Sequence, residues 1–167
     1  MNFNRAVFTG AGFLTLALVS SQALAAGTIQ GKRFQDWGGN CEANPQLGQL
    51  CYLEQVLHDG NKKVMVSVIG YLPGQTTPTL MFELPPKIHL PAGFSISMGR
   101  QVLTRFKGKC TPKNCNAGFN LNPRIVAQFQ KGRDATVSYT PSPNQPPIQL
   151  PLSLMGITAG LNALKQP

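Results

Sequence analysis

Short runs of strand-like sequence dominate the chain, and Gly, Pro, Asn and Asp separate them. Residues 51–58 and 64–69 both carry apolar residues in the patterns that are typical of β-strands. Between them lies Asp59-Gly60-Asn61, a sequence that favours a tight turn. This arrangement predicts a β-hairpin.

A second hairpin is predicted at 94–106, where a short strand, a turn at Gly99-Arg100 and a returning strand follow one another. Side chains of one strand alternate between the two faces of a sheet, so the apolar positions are expected on one common face. The residues expected in register on that face are Phe94, Ile96 and Met98, followed by Val102, Thr104 and Phe106.

Three further runs complete the predicted strands. They lie at 79–84, 134–139 and 148–154. Pro151 places the last run at a sheet edge or a bulge, because proline cannot donate a ladder hydrogen bond. The prolines at 141–147 predict a stiff, extended connection between the last two strands.

Two short helices are predicted in the second half of the chain. Asn122 and Pro123 have the residue types that favour a helix cap and a first helical position, and Gly132 favours its end. Apolar residues at helical spacing over 157–164 predict a C-terminal helix. The elements together predict an all-β fold, a small β-sandwich with one or two short helices, and Trp37 is expected to anchor its core.

The first 25 residues have the three parts of a secretory signal peptide. Arg5 supplies the positive charge, residues 6–19 form the apolar segment, and Ala23-Leu24-Ala25 matches a small-x-small cleavage site. A membrane anchor, the alternative, needs about 20 predominantly apolar residues, and this run is shorter. We therefore expect export, with one mature domain at 26–167 and no transmembrane segment in it.

All four cysteines of the chain lie beyond the expected cleavage site, at Cys41, Cys51, Cys110 and Cys115. An even number of cysteines in an exported chain favours disulfides, and four cysteines allow three connectivities. The local pairs Cys41–Cys51 and Cys110–Cys115 are favoured because each closes a short loop. A zinc site is the alternative, but the spacings do not match the usual ligand pairs, so we predict no metal.

The chain is basic, with a formal net charge of +9 that becomes +8 when the expected leader, which contains Arg5 and no acid, is removed. Such a charge attracts anionic surfaces, and the partners we expect are lipopolysaccharide, lipid headgroups or host glycans rather than nucleic acid. Solubility alone is the alternative explanation. The basic residues that gather around the second hairpin and the second cysteine pair, and so form a candidate anion-contact surface, are Arg100, Arg105, Lys107, Lys109 and Lys113.

No arrangement of residues in the sequence indicates catalysis. General acid–base chemistry usually requires paired carboxylates or a carboxylate with a histidine, and the six acids are scattered along the chain. His58 and Asp59 are adjacent on a predicted strand, so their side chains are expected on opposite faces. None of the common nucleophile, phosphate-binding or zinc-protease motifs occurs. We predict a non-enzymatic protein without a cofactor.

The order of several short motifs resembles the invasion-associated locus B family of bacterial envelope proteins. The similarity extends over nearly all of the mature chain, and its strength lies in the order of the motifs rather than in any one of them. They are Asp36-Trp37 before Cys41, Cys51-Tyr52-Leu53-Glu54-Gln55, Leu90-Pro91-Ala92-Gly93, the segment 106–110, Cys115-Asn116-Ala117-Gly118, Gln130-Lys131-Gly132, and Leu152-Ser153-Leu154-Met155-Gly156.

The resemblance implies a periplasmic or outer-envelope protein with paired cysteines and no recognised catalytic residues. Some members of the family are associated with entry into host cells, and others occur in bacteria that invade nothing. This chain departs from the family pattern at Ile157, where phenylalanine is frequent, and at Gly99-Arg100, where an acidic residue is frequent. The second departure makes the turn more basic.

The leading hypothesis is an exported envelope protein that binds an unidentified envelope or host partner and contributes to host-cell invasion. We expect it in the periplasm, with outer-membrane association and secretion as alternatives. Two other functions stay open from the sequence. One is a structural or stress-related periplasmic component, and the other is an envelope enzyme with an unrecognised site.

Overall fold

A computed structural model of the chain describes residues 29–165. The predicted signal peptide therefore lies outside the described residues. Within residues 29–165 the fold contains eleven strands, two α-helices and a 3-10 turn at Leu90–Ala92. The strands are β1 (Arg33–Phe34), β2 (Trp37–Asn44), β3 (Gly48–Asp59), β4 (Lys62–Gly70), β5 (Thr79–Leu84), β6 (Phe94–Met98), β7 (Gln101–Phe106), β8 (Gly108–Cys110), β9 (Cys115–Asn120), β10 (Asp134–Tyr139) and β11 (Ile148–Ser153). The helices are α1 (Pro123–Lys131) and α2 (Ile157–Leu164).

The strands form two antiparallel sheets that pack face to face. One sheet has seven strands in the order β1-β2-β3-β4-β5-β9-β8, and the other has four in the order β11-β10-β6-β7. Buried residues from both sheets and both helices form one apolar core. The predicted all-β sandwich with a C-terminal helix is confirmed.

The β3–β4 hairpin forms at the predicted turn, with Gly60 at a φ of +57°. On β4 the side chains of Met65 and Ile69 are buried, whereas Val66 on the same strand faces outward and is partly exposed. Both faces of β4 are therefore apolar in sequence, and only the packing of the second sheet determines which face lies in the core.

The β6–β7 hairpin contains a bulge that changes the predicted face of Val102. Thr104 pairs with Ile96, but the register then shifts and Val102 pairs with Ser97, which leaves Leu103 as the extra residue. An extra residue reverses the alternation of side chains beyond it. Val102 is 51% exposed on the outer face, so its predicted place in register with Phe106 is wrong.

Both helices form where the sequence predicts them. The side chain of Asn122 caps α1 by accepting a hydrogen bond from the backbone N–H of Ile125 at 2.9 Å. Ile125 and Phe129 are buried, and α1 ends before Gly132. Helix α2 buries Ile157 and Leu161 against the sandwich.

Four strands were not predicted, namely β1, β2, β8 and β9. The sequence of β2 contains Gly38 and Gly39, which suggest a loop rather than a strand. A side chain at Gly39 would meet the carbonyl oxygen of Ile29 at 2.3 Å, so the glycine permits a close approach of two backbone segments. Around the second cysteine pair the chain forms a tight β8–β9 hairpin, in which the N–H of Thr111 donates to the carbonyl of Asn114 at 2.8 Å.

Trp37 is fully buried, as predicted for a core anchor. Its indole Nε1 donates a hydrogen bond to the carbonyl oxygen of Ser153 on β11 at 3.0 Å. The indole thus links the seven-stranded sheet to the edge of the four-stranded sheet. Near the other side of the core, the ring of Phe106 stacks on Phe82 and Phe94, each with centroids 5.7 Å apart.

Candidate functional site

A straight row of polar residues crosses the outer face of the four-stranded sheet. The strand registers align one residue from each strand directly opposite the next. Their neighbours along the strands, such as Phe94, Ile96 and Val137, are buried, so the row faces away from the core. From edge to edge, this cross-strand row consists of Arg105 on β7, Ser95 on β6, Ser138 on β10 and Gln149 on β11.

The side-chain lengths along the row make the sheet face concave. The two middle strands carry short serine side chains, whereas the edge strands carry the long side chains of Arg105 and Gln149. A cavity of about 360 Å³ lies over the serines, and Arg100 at the β6–β7 turn also lines it. We call this cavity the trough and define it by Arg100, Arg105, Ser95, Ser97, Ser138 and Gln149.

The guanidinium groups of Arg100 and Arg105 have no hydrogen-bond or ion-pair partner among residues 29–165. The ion pair between Lys63 and Glu83 lies on the other sheet. The acidic residue of the four-stranded sheet, Asp134, begins β10 four positions before Ser138 and does not line the trough. Positive charge in a concave surface attracts anions more strongly than the same charge on a convex one. The trough therefore has the electrostatics of an anion site.

The structure divides the five basic residues of the predicted contact surface between two faces. Arg100 and Arg105 line the trough, and Lys107 lies where the chain crosses from one sheet to the other. Lys109 on β8 pairs with the exposed Asn116 and points to the outer face of the seven-stranded sheet. Lys113 lies in the β8–β9 turn.

A second cleft adjoins the trough at the sheet crossover. Its volume is about 570 Å³, and Lys107 and Arg105 line it together with the 3-10 turn at Leu90–Ala92. Arg105 is thus shared between the two concave surfaces. Lys107 contributes positive charge at the rim of this larger cleft rather than in the trough itself.

Sequence reasoning identified the arginines but missed the serines and the glutamine. Ser95 and Ser97 were expected on the face opposite Phe94, but no signal in the sequence pairs β6 with β10, which lies 35 or more positions later. Without that pairing, Ser138 and Gln149 cannot be placed beside Arg105. The alternation within β10 and β11, which puts both residues outward, was the available clue.

The cysteines lie opposite one another on neighbouring strands. Cys41 on β2 is bonded to Cys51 on β3, and Cys110 on β8 is bonded to Cys115 on β9. These are the two local pairs that the sequence favours. Each bond joins the two strands of a hairpin near an edge of the seven-stranded sheet, so the cysteines stabilise the scaffold and lie apart from the trough.

An apolar cleft of about 320 Å³ lies on the outer face of the seven-stranded sheet, lined by Val68, Leu72 and Met81. Beside it, the hydroxyl of Tyr52 donates a hydrogen bond to the carboxylate of Glu42. That hydrogen bond, with burial and the nearby negative charges, raises the pKa of Tyr52 to about 12. No pattern in the sequence indicates this cleft.

The described part of the chain contains no group of three or more His, Cys, Asp or Glu side chains that could hold a metal ion. His58 and Asp59 lie at the exposed end of β3, opposite the lysines at 62 and 63. Burial raises the pKa of Tyr139, which is part of the buried core. No helix within residues 29–165 is long and apolar enough to cross a membrane.

Comparisons with known proteins place the chain in a sequence family and a fold. The family model described as invasion associated locus B (IalB) protein matches residues 37–165. A crystal structure of invasion associated protein B from Bartonella henselae is similar with a TM-score of 0.68 and 19% sequence identity, over 80% of this chain and 94% of that chain. At this identity the likeness shows the shared fold alone. No curated protein matches the chain significantly.

Proposed function

The chain belongs to the invasion associated locus B family, and from that premise we propose that it is an exported envelope protein that binds an anionic partner and catalyses no reaction. Its place of action in this proposal is the periplasm or the outer envelope. The partner is an anionic component of the bacterial envelope or of the host-cell surface, such as lipopolysaccharide, a lipid headgroup or a glycan.

The trough is the observation that carries this proposal. Arg100 and Arg105 converge on one cavity, and neither side chain is paired with a carboxylate in the described structure. Solubility alone does not explain why both arginines line one concave surface beside hydroxyl groups that lack a hydrogen-bond partner. The absence of a carboxylate partner leaves both guanidinium groups available for an external anion.

Export is supported by two features that are independent of the trough. The leader sequence at 1–25 has the pattern of a signal peptide, and the bonded cysteine pairs suit an oxidising compartment. Because a structurally similar protein is described as invasion associated, we propose host-cell contact as the setting in which binding matters.

Two measurements test this proposal. Osmotic-shock fractionation of the producing bacterium should release the protein without residues 1–25. Binding to purified lipopolysaccharide should weaken as salt rises, because screening weakens attraction between exposed charges. Finding the protein in the cytosol with its leader intact and four free thiols would contradict export. The binding role would be contradicted if, at low salt, the protein bound neither lipopolysaccharide nor anionic vesicles and captured no partner from envelope extract.

A further inference from the structure

We propose that the trough is a binding site for a phosphorylated sugar, with the phosphate on the arginines and the sugar hydroxyls over the serines. This inference rests on the proposed binding function and assigns its ligand class and its place. The relevant chemistry is a phosphomonoester on a sugar ring, which occurs both in the glycolipid headgroups of envelopes and in free sugar phosphates.

The arginines determine the anionic half of the ligand. A guanidinium presents several N–H donors in a planar fork that matches the oxygens of a phosphate, and such charge-assisted hydrogen bonds are the strong ones. Arg105 lies at one end of the cross-strand row, and Arg100 lies in the turn at the other end of β7, so both arginines line the β7 side of the trough. One side of the cavity is therefore cationic and the other is neutral.

The neutral half of the trough suits a polyol. The hydroxyls of Ser95, Ser97 and Ser138 form no hydrogen bond within the described structure. Hydroxyl and amide side chains can both donate and accept, which is what the hydroxyls of a sugar require. Gln149 stands at the far end of the row, where its amide can bond the side of a sugar that lies away from the phosphate.

The size and shape of the trough favour a single phosphorylated sugar unit over a polymer or a peptide. Its volume of about 360 Å³ lies at the lower end of the ~300–1,000 Å³ that is usual for small-molecule sites. An acidic peptide that adds to a sheet needs a free strand edge and side-chain pockets. The trough instead lies on a sheet face, and serine hydroxyls line it together with apolar residues such as Val102 and Pro147.

The chain offers a matched pair of double variants for the test. Arg100→Gln with Arg105→Gln removes two positive charges from the trough, and Lys109→Gln with Lys113→Gln removes two from the other sheet. Ser138→Leu keeps both arginines and fills the floor, and Ser95→Leu is the substitute if that variant fails to fold. Calorimetric titration of the exported protein with glucose 1-phosphate, inorganic phosphate, glucose and an acidic peptide measures the ligand class.

We expect glucose 1-phosphate to bind more tightly than inorganic phosphate or glucose and to displace lipopolysaccharide. The arginine double variant and the floor variant should each bind glucose 1-phosphate at least about tenfold more weakly than the unmodified protein. The first loses hydrogen bonds to a charged ligand, and the second loses the space that the ligand occupies. The lysine double variant should bind as the unmodified protein does. Binding to lipopolysaccharide is then compared with binding to phosphatidylglycerol vesicles. Tighter binding to lipopolysaccharide identifies a glycolipid as the source of the phosphorylated sugar.

Other outcomes separate this inference from the proposed function. Lipopolysaccharide binding that both double variants weaken equally would overturn the trough as the site and leave a general anion-contact role. Equal binding of inorganic phosphate and glucose 1-phosphate would overturn the sugar assignment, and tighter binding of the acidic peptide would overturn the ligand class. Binding of glucose 1-phosphate in the trough without any binding to envelope anions would support the site and contradict the proposed function.

Discussion

The side-chain amide of Gln55 on β3 pairs with the backbone of Ser153 on β11 as if it were a strand residue. Its Nε2 donates to the Ser153 carbonyl at 3.2 Å, and its Oε1 accepts from the Ser153 N–H at 3.0 Å. The hydroxyl of Ser153 donates to Asp36 at 2.5 Å, and the indole of Trp37 bonds the same carbonyl. One edge residue of the four-stranded sheet thus connects it to the seven-stranded sheet.

The first prediction concerns the Gln55–Ser153 pair. Gln55→Ala removes both hydrogen bonds and leaves backbone groups of Ser153 without the amide, so we expect the free energy of unfolding to fall by about 1–3 kcal/mol. Gln49→Ala, on the exposed start of the same strand, is the control and should change it by less than about 0.5 kcal/mol. Urea denaturation measures both variants, and equal losses would show that the amide does not join the sheets.

The second prediction concerns Gly156, which precedes α2. Its φ is +90°, and a Cβ there would lie 1.9 Å from the carbonyl oxygen of Phe34. Gly156→Ala should therefore lower the free energy of unfolding by ~3 kcal/mol or more, because backbone strain and a clash with a backbone atom combine.

Gly60→Ala is the matched control for Gly156→Ala. Gly60 also has a positive φ, at +57°, but an added Cβ would meet nothing within 4 Å. Gly60→Ala should lower the free energy of unfolding by about 1 kcal/mol, which is the cost of the left-handed conformation alone. Thermal unfolding that ranks the two variants in the opposite order would contradict the close approach at Gly156.

Three of the segments that carry the family resemblance meet at Ser153. Asp36 and Trp37 belong to one segment, Gln55 ends another, and Ser153 lies in the last. These residues hold the two sheets together and do not line the trough. These three segments therefore belong to the scaffold, whereas Ala92 and Gly93 of another resembling segment line the trough. The scaffold alone does not identify a ligand.

Local sequence signals sufficed for the elements that depend on neighbouring residues. The turn at Gly60, the cap at Asn122 and the edge position of Pro151 were all predictable, because turn, cap and proline chemistry act over a few residues. The C-terminal helix was predictable from the spacing of its apolar residues. The trough was not, because it requires the pairing of β6 with β10.

Long-range packing determines the features that the sequence did not reveal. Strand β2 forms despite Gly38 and Gly39 because it pairs with β3 from Gly38 to Asn44, and Gly39 permits the close backbone approach to Ile29. The bulge at Leu103 turns Val102 outward, and nothing in the alternation of β7 marks the extra residue. In both cases a neighbouring segment decides the outcome.

The third prediction concerns the cysteine pairs. Replacing Cys41 and Cys51 by serine should lower the free energy of unfolding by about 2–3 kcal/mol, because the bond restricts the unfolded chain. The shorter Cys110–Cys115 loop should contribute roughly 0.5 kcal/mol less, since the effect grows with loop length. Mass spectrometry of unreduced digests should recover these two linkages. A disulfide between the two pairs, such as Cys41–Cys110, would contradict them.

The fourth prediction concerns the ionisation of Tyr52. Its pKa is raised from the ordinary value of 10.0 to about 12, first by the hydrogen bond to Glu42. Because the folded pKa is the higher one, the resulting stabilisation is complete below pH 10 and is lost as the pH rises toward 12. Ultraviolet titration should show one late-ionising tyrosine, and Glu42→Ala should return its pKa toward 10.0. A titration that Glu42→Ala leaves unchanged would exclude the carboxylate as the cause.

The central claim is that anions bind in the trough, and NMR mapping of the exported protein tests it most directly. Delipidated, phosphorylated lipopolysaccharide core oligosaccharide is titrated into labelled protein, and the backbone amide shifts are followed. The account predicts that the largest shift changes lie along the cross-strand row, at Arg105, Ser95, Ser138 and Gln149, and that they vanish in the arginine double variant. Changes that instead centre on Lys109 and Asn116, or that spread evenly over all basic residues, would contradict it.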